Sequence, residues 1–257
     1  MTRIESYEDL ADNIVDWLKD YYWQYNIKAF VVGVSGGIDS AVVSSLCART
    51  GLPTYVVCMP LESKFENTRL SDAHSKALVE KYDNVKRMEV ELFSAYDSLI
   101  KSIEWWSEAQ HFDKKEFTSS ELANANTKSR MRMITLYQIA GSVGGIVVGT
   151  GNKVEDYGVG FYTKYGDGGV DIAPIADLYK TEVWELGEYL EVDQRIVDAD
   201  PTDGLWKDSR SDEDQLGATY AELEEAMETG TGPAVEVLKK FNEQNKHKME
   251  PIPTFKL

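Results

Sequence analysis

Residues 29–40 read AFVVGVSGGIDS. The first half is a short, almost wholly apolar run, the pattern of a strand covered on both faces of a parallel sheet. The second half sheds its bulk at Ser35, Gly36 and Gly37 and takes up a helical pattern from Ile38. A buried strand that passes through bare backbone into a helix N-terminus presents unpaired N–H groups and a partial positive charge to an anion. Asp39 is out of place beside a phosphate unless a Mg2+ stands between the two. The loop lacks the lysine of G-x-x-x-x-G-K-[ST], and that pattern occurs nowhere in the chain, which argues against ordinary γ-phosphate transfer.

Working outward, the apolar period alternates between strand and helix. An amphipathic helix is predicted over residues 7–25, and the helix that opens at the loop runs to residue 50, where Gly51 and Pro53 stop it. TYVVCMP (54–60) is a second buried strand, 69–82 a helix, and VKRMEVELF (85–93) a third strand. Helical stretches cover 95–106 and 119–141, and GIVVGTG (145–151) is the fourth strand. A glycine-rich loop over 153–171, a helix over 178–190, an acidic stretch and two shorter C-terminal helices complete the chain. This order predicts the α/β class, a parallel sheet with helices on both faces, in a single domain over residues 1–257. The 153–171 loop is too long for a plain connector; such loops are functional or disordered, and its run of specific polar residues favours function.

Hydrophobic residues make up 42% of the chain and charged ones 28%, an ordinary globular balance. No apolar run approaches the ~20 residues of a membrane span, and the N-terminus lacks the apolar core of a signal peptide. Cys47 and Cys58 lie in apolar stretches and read as a buried, reduced pair, so a cytoplasmic protein with no membrane contact is expected. The net charge of -17 disfavours nucleic acid as a partner. Acidity is concentrated in residues 191–228, with 13 Asp and Glu against 3 Lys and Arg. From residue 239 onward 5 Lys face 2 Glu; that basic tail is either a solubilising end or a surface for an anionic ligand.

SGGIDS (35–40) resembles the signature of the ATP pyrophosphatases, which hold a pyrophosphate in this loop while a nucleophile attacks the α-phosphorus. NTKSRMRM (126–133), TKYGDGG (163–169) within the longer run 152–186, and PTDGLW (201–206) are similar to the ammonia-dependent NAD synthetases. The resemblance spans about residues 29–190, with further patches toward the C-terminus. It implies an adenine nucleotide alpha hydrolase-like, Rossmann-like fold. It also implies ATP-dependent amidation of deamido-NAD to NAD with ammonia, through an acyl adenylate, releasing AMP and pyrophosphate in a homodimer.

Carried over by position, Gly33, Val34, Ser35, Gly36, Gly37, Ile38, Asp39, Ser40, Thr150, Lys180 and Thr202 meet ATP, with Lys180 a point charge on a phosphate. Asp39 and Glu155 share Mg2+. Arg130, Lys164, Asp171, His247 and Lys248 face deamido-NAD, and Asp167 is the catalytic residue for ammonia. Four of these have plainer readings: Asp167 as a turn residue before Gly, Arg130 as a helix-surface charge, and His247 with Lys248 as a charged tail. Residues 58–74 depart from the family pattern and leave the adenine contacts unassigned.

Three His and two Cys leave little for a glutaminase, and only about 33 residues precede the loop, so free ammonia, or ammonia handed over by a separate chain, is the expected nitrogen source. Two rivals stand beside this reading. A tRNA-modifying relative would carry a basic RNA surface or cysteine sulfur carriers; a nucleotide-sensing module would not need both Asp39 and Glu155.

Overall fold

The computed structural model of the chain describes residues 3–61, 65–109, 121–201 and 211–256. Four strands, β1 (Phe30–Gly33), β2 (Thr54–Cys58), β3 (Val85–Glu89) and β4 (Ile146–Val147), form a sheet in the order β3-β2-β1-β4, and every pair is parallel. The helices are α1 (Tyr7–Gln24), α2 (Ile38–Arg49), α3 (Phe65–Lys81), α4 (Phe93–Ala109), α5 (Glu121–Val143), α6 (Lys180–Tyr189), α7 (Gln194–Val197), α8 (Asp212–Leu216), α9 (Tyr220–Thr229) and α10 (Val235–Met249).

Successive β1 side chains point to opposite faces, and each face is covered, so all of them are apolar. Phe30 and Val32 join a cluster with Leu18 of α1, Val42 and Leu46 of α2, and Val183 and Leu186 of α6. Val31 joins the opposite cluster with Val57, Tyr96 of α4 and Ile139 of α5. α1 is set by its pattern: Ser6 caps it by accepting from the Asp9 N–H, and Ala11, Ile14, Val15, Leu18 and Tyr22 form one buried stripe. A third cluster, apart from the sheet, gathers Val154, Val159, Leu216, Tyr220 and Leu223 with partly buried side chains of α10.

Two strand boundaries differ from the sequence reading. The expected strand 85–93 stops at Glu89, because the Glu91 carboxylate turns back onto the Phe93 N–H and starts α4. The expected strand 145–151 is only two residues of regular ladder, followed by a parallel bridge from Val148 to Ile172. β4 has β1 on one side, and on the other the Asp171 carboxylate stands in for a strand by accepting the Val147 N–H at 2.7 Å. The 153–171 loop opens with a π-helix at Val154–Val159. Buried Asn152 starts it, its Oδ1 accepting from the Val154 and Glu155 N–H groups at 3.1 Å each. Among the described residues no helix is long and apolar enough to cross a membrane; Cys47 and Cys58 are free thiols and buried.

Candidate active site

The strand order reverses direction at β1, whose neighbours β2 and β4 are reached by connections running opposite ways. Open α/β sheets bind ligands outside the carboxyl ends of strands at such a point. A cavity of about 750 Å3 lies there, within the usual range of ligand sites. It is lined by the whole loop Gly33, Val34, Ser35, Gly36, Gly37, Ile38, Asp39 and Ser40, together with Thr150, Glu155, Lys180, Arg130, Lys164, Asp167, His247 and Lys248. Residues dispersed over most of the chain therefore meet in one space. Asp171 is not among the lining residues: its two oxygens are taken by Val147 and the Tyr137 hydroxyl, at 2.7 and 3.0 Å. Thr202 lies outside the described residues.

The loop holds its own shape. Ser40 Oγ accepts from the Ser35 N–H at 3.1 Å and donates to the Gly37 carbonyl at 3.0 Å; Ser35 Oγ accepts from the Gly37 N–H at 3.2 Å. Gly36 has a φ of 94°, and a Cβ there would run into the Asn67 carbonyl of α3, so both the left-handed backbone and the close approach require glycine. Gly37 caps α2 with no side-chain bond, which leaves the first-turn amides facing the cavity.

Asp39, in the first turn of α2, and Glu155, in the π-helix, converge on one point. That point is held by the Lys180 ammonium, 2.5 Å from Asp39 Oδ2 and 3.0 Å from Glu155 Oε1. Lys180 was expected to face a phosphate; the structure turns it instead onto both carboxylates, with its side chain 3% exposed. Burial alone would lower its pKa, but the two carboxylates hold it above the usual lysine value, so it is a cation. Neutral donors fix the carboxylates from behind. Asn152 Nδ2 donates to Asp39 Oδ1 at 3.1 Å, and the Tyr220 hydroxyl donates to Glu155 Oε1 at 2.7 Å. Burial would raise Glu155, yet Lys180, Tyr220 and Asn152 together hold it below the ordinary carboxylate value. Oxygen ligands that converge on a cation from two elements, each with an outer hydrogen bond, suit Mg2+, which takes one or two carboxylates and completes its shell with phosphates and waters. Behind Tyr220 the Trp184 ring stands edge-on at 5.9 Å, with its buried Nε1 unpartnered among the described residues.

At the other end of the cavity, Asp167 Oδ1 accepts from the Ser129 hydroxyl at 2.6 Å and from the Thr163 N–H at 3.1 Å. Burial raises its pKa. Tyr165, two residues before it, has a φ of 63°, a strained value for a non-glycine residue. Arg130 Nε donates to the Lys164 carbonyl at 3.3 Å, and Lys164 Nζ to the His247 carbonyl at 3.0 Å. The ammonium of Lys248 is engaged with the carbonyls of Gly160 and Tyr162, at 2.6 and 2.8 Å. Sequence reasoning missed Asn152, Tyr220 and Asp156. Asp156 lines the cavity, and burial, with Glu155, Asp167 and Asp39 nearby, pushes it up to about 8.

Fold and site together define an α/β protein with a glycine loop whose amides face a cavity at the carboxyl ends of the strands, and two carboxylates converging on a buried lysine beside it. A family model described as NAD synthase matches residues 10–253. The NH(3)-dependent NAD(+) synthetase of Carboxydothermus hydrogenoformans is 35% identical over 246 residues, covering 95% of each chain. Among solved structures, the NMN synthetase of Francisella tularensis superposes with a TM-score of 0.85 at 31% identity, over 99% of this chain and 100% of that one. The NH3-dependent NAD synthetase of Campylobacter jejuni superposes with a TM-score of 0.75 at 25% identity, over 98% and 100%. The chain belongs to the NAD synthase family. It is an enzyme of that family, a ligase, on the expected Rossmann-like adenine nucleotide alpha hydrolase fold.

Proposed function

We propose that this ligase converts the carboxylate of deamido-NAD to the amide of NAD with ATP and ammonia, working as one unit over residues 1–257. The observation that carries this is the convergence of Asp39 and Glu155 on a single cation beside the open amides of the Gly33–Ser40 loop. In the first step the nicotinate carboxylate attacks the α-phosphorus, the bond to the β,γ-pyrophosphate breaks, and an acyl adenylate forms. In the second, ammonia attacks the acyl carbon, AMP leaves, and one proton is released. No covalent enzyme intermediate is needed, so the chain contributes positioning and charge.

The loop amides and Lys180 hold the pyrophosphate, and Asp39 and Glu155 hold Mg2+, which when bound neutralises charge building on that leaving group. Thr150 and Thr202 complete the ATP side. Arg130 and Lys164 offer cations to the second substrate's pyrophosphate, with His247 and Lys248 closing over it from α10. Asp171 orders the β4 edge beneath the substrate, and Asp167 takes the proton of an incoming ammonium. Consumption of ATP and deamido-NAD is in keeping with a cytoplasmic reaction. α4 and α5 expose Leu99, Ile103, Trp105, Leu122 and Ile134, 42 to 71% open; an apolar surface of that kind supports a homodimer through these helices. A single-chain mass by light scattering at assay concentration, with full activity, overturns the dimer.

A second reading is favoured by the superposition on the NMN synthetase, whose TM-score exceeds that of the NAD synthetase from Campylobacter jejuni. In it the same chemistry acts on the deamido mononucleotide. One competition assay decides: ATP, ammonium and equal deamido-NAD and deamido mononucleotide, with products separated by chromatography. The expected result is NAD, with AMP and pyrophosphate formed in equal amounts. A larger kcat/KM for the mononucleotide reverses the assignment.

A further inference from the structure

Two carboxylates that share a site cannot both stay ionised and dry without a positive charge between them. In this protein the charge is supplied from within. Asp39 and Glu155 are each 17% exposed in their side chains, and the Lys180 ammonium fills the point on which they converge. Mg2+ binds carboxylate oxygens at about 2.0–2.1 Å, so it would have to occupy the space that Nζ now fills. The two cations exclude each other there, by volume and by charge.

We infer that Lys180 is the resident counter-cation of the metal ligands, and that the divalent ion enters only together with ATP, whose phosphates take Lys180 in exchange. This rests on the reading of Asp39 and Glu155 as the Mg2+ pair. Each partial step leaves a charge behind. Metal alone would push the Lys180 ammonium off both partners and leave a buried cation with Asp212 as its remaining charged neighbour, which is unfavourable. Nucleotide alone would bring its phosphates toward carboxylates already matched with one cation, and would meet their remaining negative charge. Metal and nucleotide together leave every charge paired: the ion takes the carboxylates, and the phosphates take the lysine.

The local structure suits such an exchange. Lys180 is the first residue of α6, and its backbone is anchored by the Glu182 carboxylate, which accepts the Tyr179 N–H at 2.8 Å. The four-carbon stem can therefore swing while the helix stays in place. Lys180 and the Ser35–Ser40 loop line the same cavity, so the new partner lies across open space. Asn152 and Tyr220 keep their hydrogen bonds to Asp39 and Glu155 whichever cation is present, so the ligands need not move.

The test titrates Mn2+, followed by electron paramagnetic resonance, against the full chain with and without α,β-methylene-ATP. Wild type is expected to bind Mn2+ at this site weakly when nucleotide is absent. Lys180→Met should tighten nucleotide-free binding by about tenfold or more, because the competing occupant is gone. Mn2+ without nucleotide should also raise the melting temperature of Lys180→Met and leave that of wild type unmoved. Nucleotide-free binding no tighter in Lys180→Met than in wild type overturns the inference. If Lys180→Met does not fold, the wild-type arm decides: equal Mn2+ affinity with and without nucleotide overturns it, and a requirement for nucleotide supports it. Asp39→Asn separates the two levels. Mn2+ binding with nucleotide that survives in Asp39→Asn removes the metal pair and this inference with it. Loss of that binding, alongside an unaltered Lys180→Met, removes the inference alone.

Discussion

Asp39, Glu155 and Lys180 carry one net negative charge between them, and that imbalance makes the amide substitutions informative. Asp39→Asn or Glu155→Gln leaves one ammonium facing one carboxylate, a balanced pair, so the fold is expected to survive either change. Pyrophosphate release should be lost in both at ordinary Mg2+; near-normal release would remove the metal assignment. Asp167 bears a different test. An asparagine can still accept at Oδ1 from Ser129 and Thr163, so the loop is kept while the charge and basicity go. Amide formation should then fall by about 10²–10⁴, with pyrophosphate release measured without ammonia much less affected. An equal fall in both steps makes Asp167 a clasp between α5 and the loop. The Gly33–Ser40 loop was legible in the sequence because strand, glycines and helix start are contiguous. Tyr220 was not: it meets Glu155 across 65 positions, and a lone tyrosine in an acidic stretch carries no local sign of that contact.

Among the elements, α10 gives the clearest case of one segment shaping another. Asn242, Asn245 and Lys248, on successive turns, donate to the carbonyls of Gly158, Val159, Gly160 and Tyr162. These groups lie in and just beyond the π-helix, where regular partners run out. Asn242 does not line the cavity, so Asn242→Ala tests positioning without touching a substrate. Losing one such bond, at about 1 kcal/mol, should raise KM for deamido-NAD about fivefold and leave KM for ATP unchanged. A fall in kcat with both KM values unmoved would assign α10 to scaffolding only. β1 and β2 were readable because strands covered on both faces are apolar throughout. β4 was overextended by the sequence reading, since a glycine-flanked apolar run does not reveal that regular pairing gives way after Val147 to a single bridge with Ile172. The π-helix has no periodic signature at six residues.

For the whole molecule, stability in mild acid turns on His74. It is buried between α3 and α2, with Ser44 Oγ 2.9 Å from Nε2, and burial pushes its pKa down to about 4 against the partial opposition of Ala41 and Asp193. The unfolded chain binds the proton near pH 6.5 and the folded chain only near 4, so the neutral ring's contribution is complete above 6.5 and is lost as pH falls toward 4. Wild type should lose on the order of 2 kcal/mol more than His74→Gln between pH 7 and pH 5, read from urea midpoints; parallel slopes would dismiss the role. The nitrogen source is tested alongside: with trace ammonia removed, NAD formation from glutamine should be negligible beside that from ammonium, as the NH(3)-dependent relatives lead one to expect, and comparable rates refute it. Trp184 lends the molecule one more property. Its indole sits edge-on to the phenol that holds Glu155, while Trp17, Trp23, Trp105 and Trp106 are 44 to 71% open to water. Indole emission shifts with the electric field across the ring, so exchanging one cation for another behind Tyr220 should tune the colour of Trp184, the one partly buried tryptophan among the described residues. Such a shift would report the charge of the active site without any label.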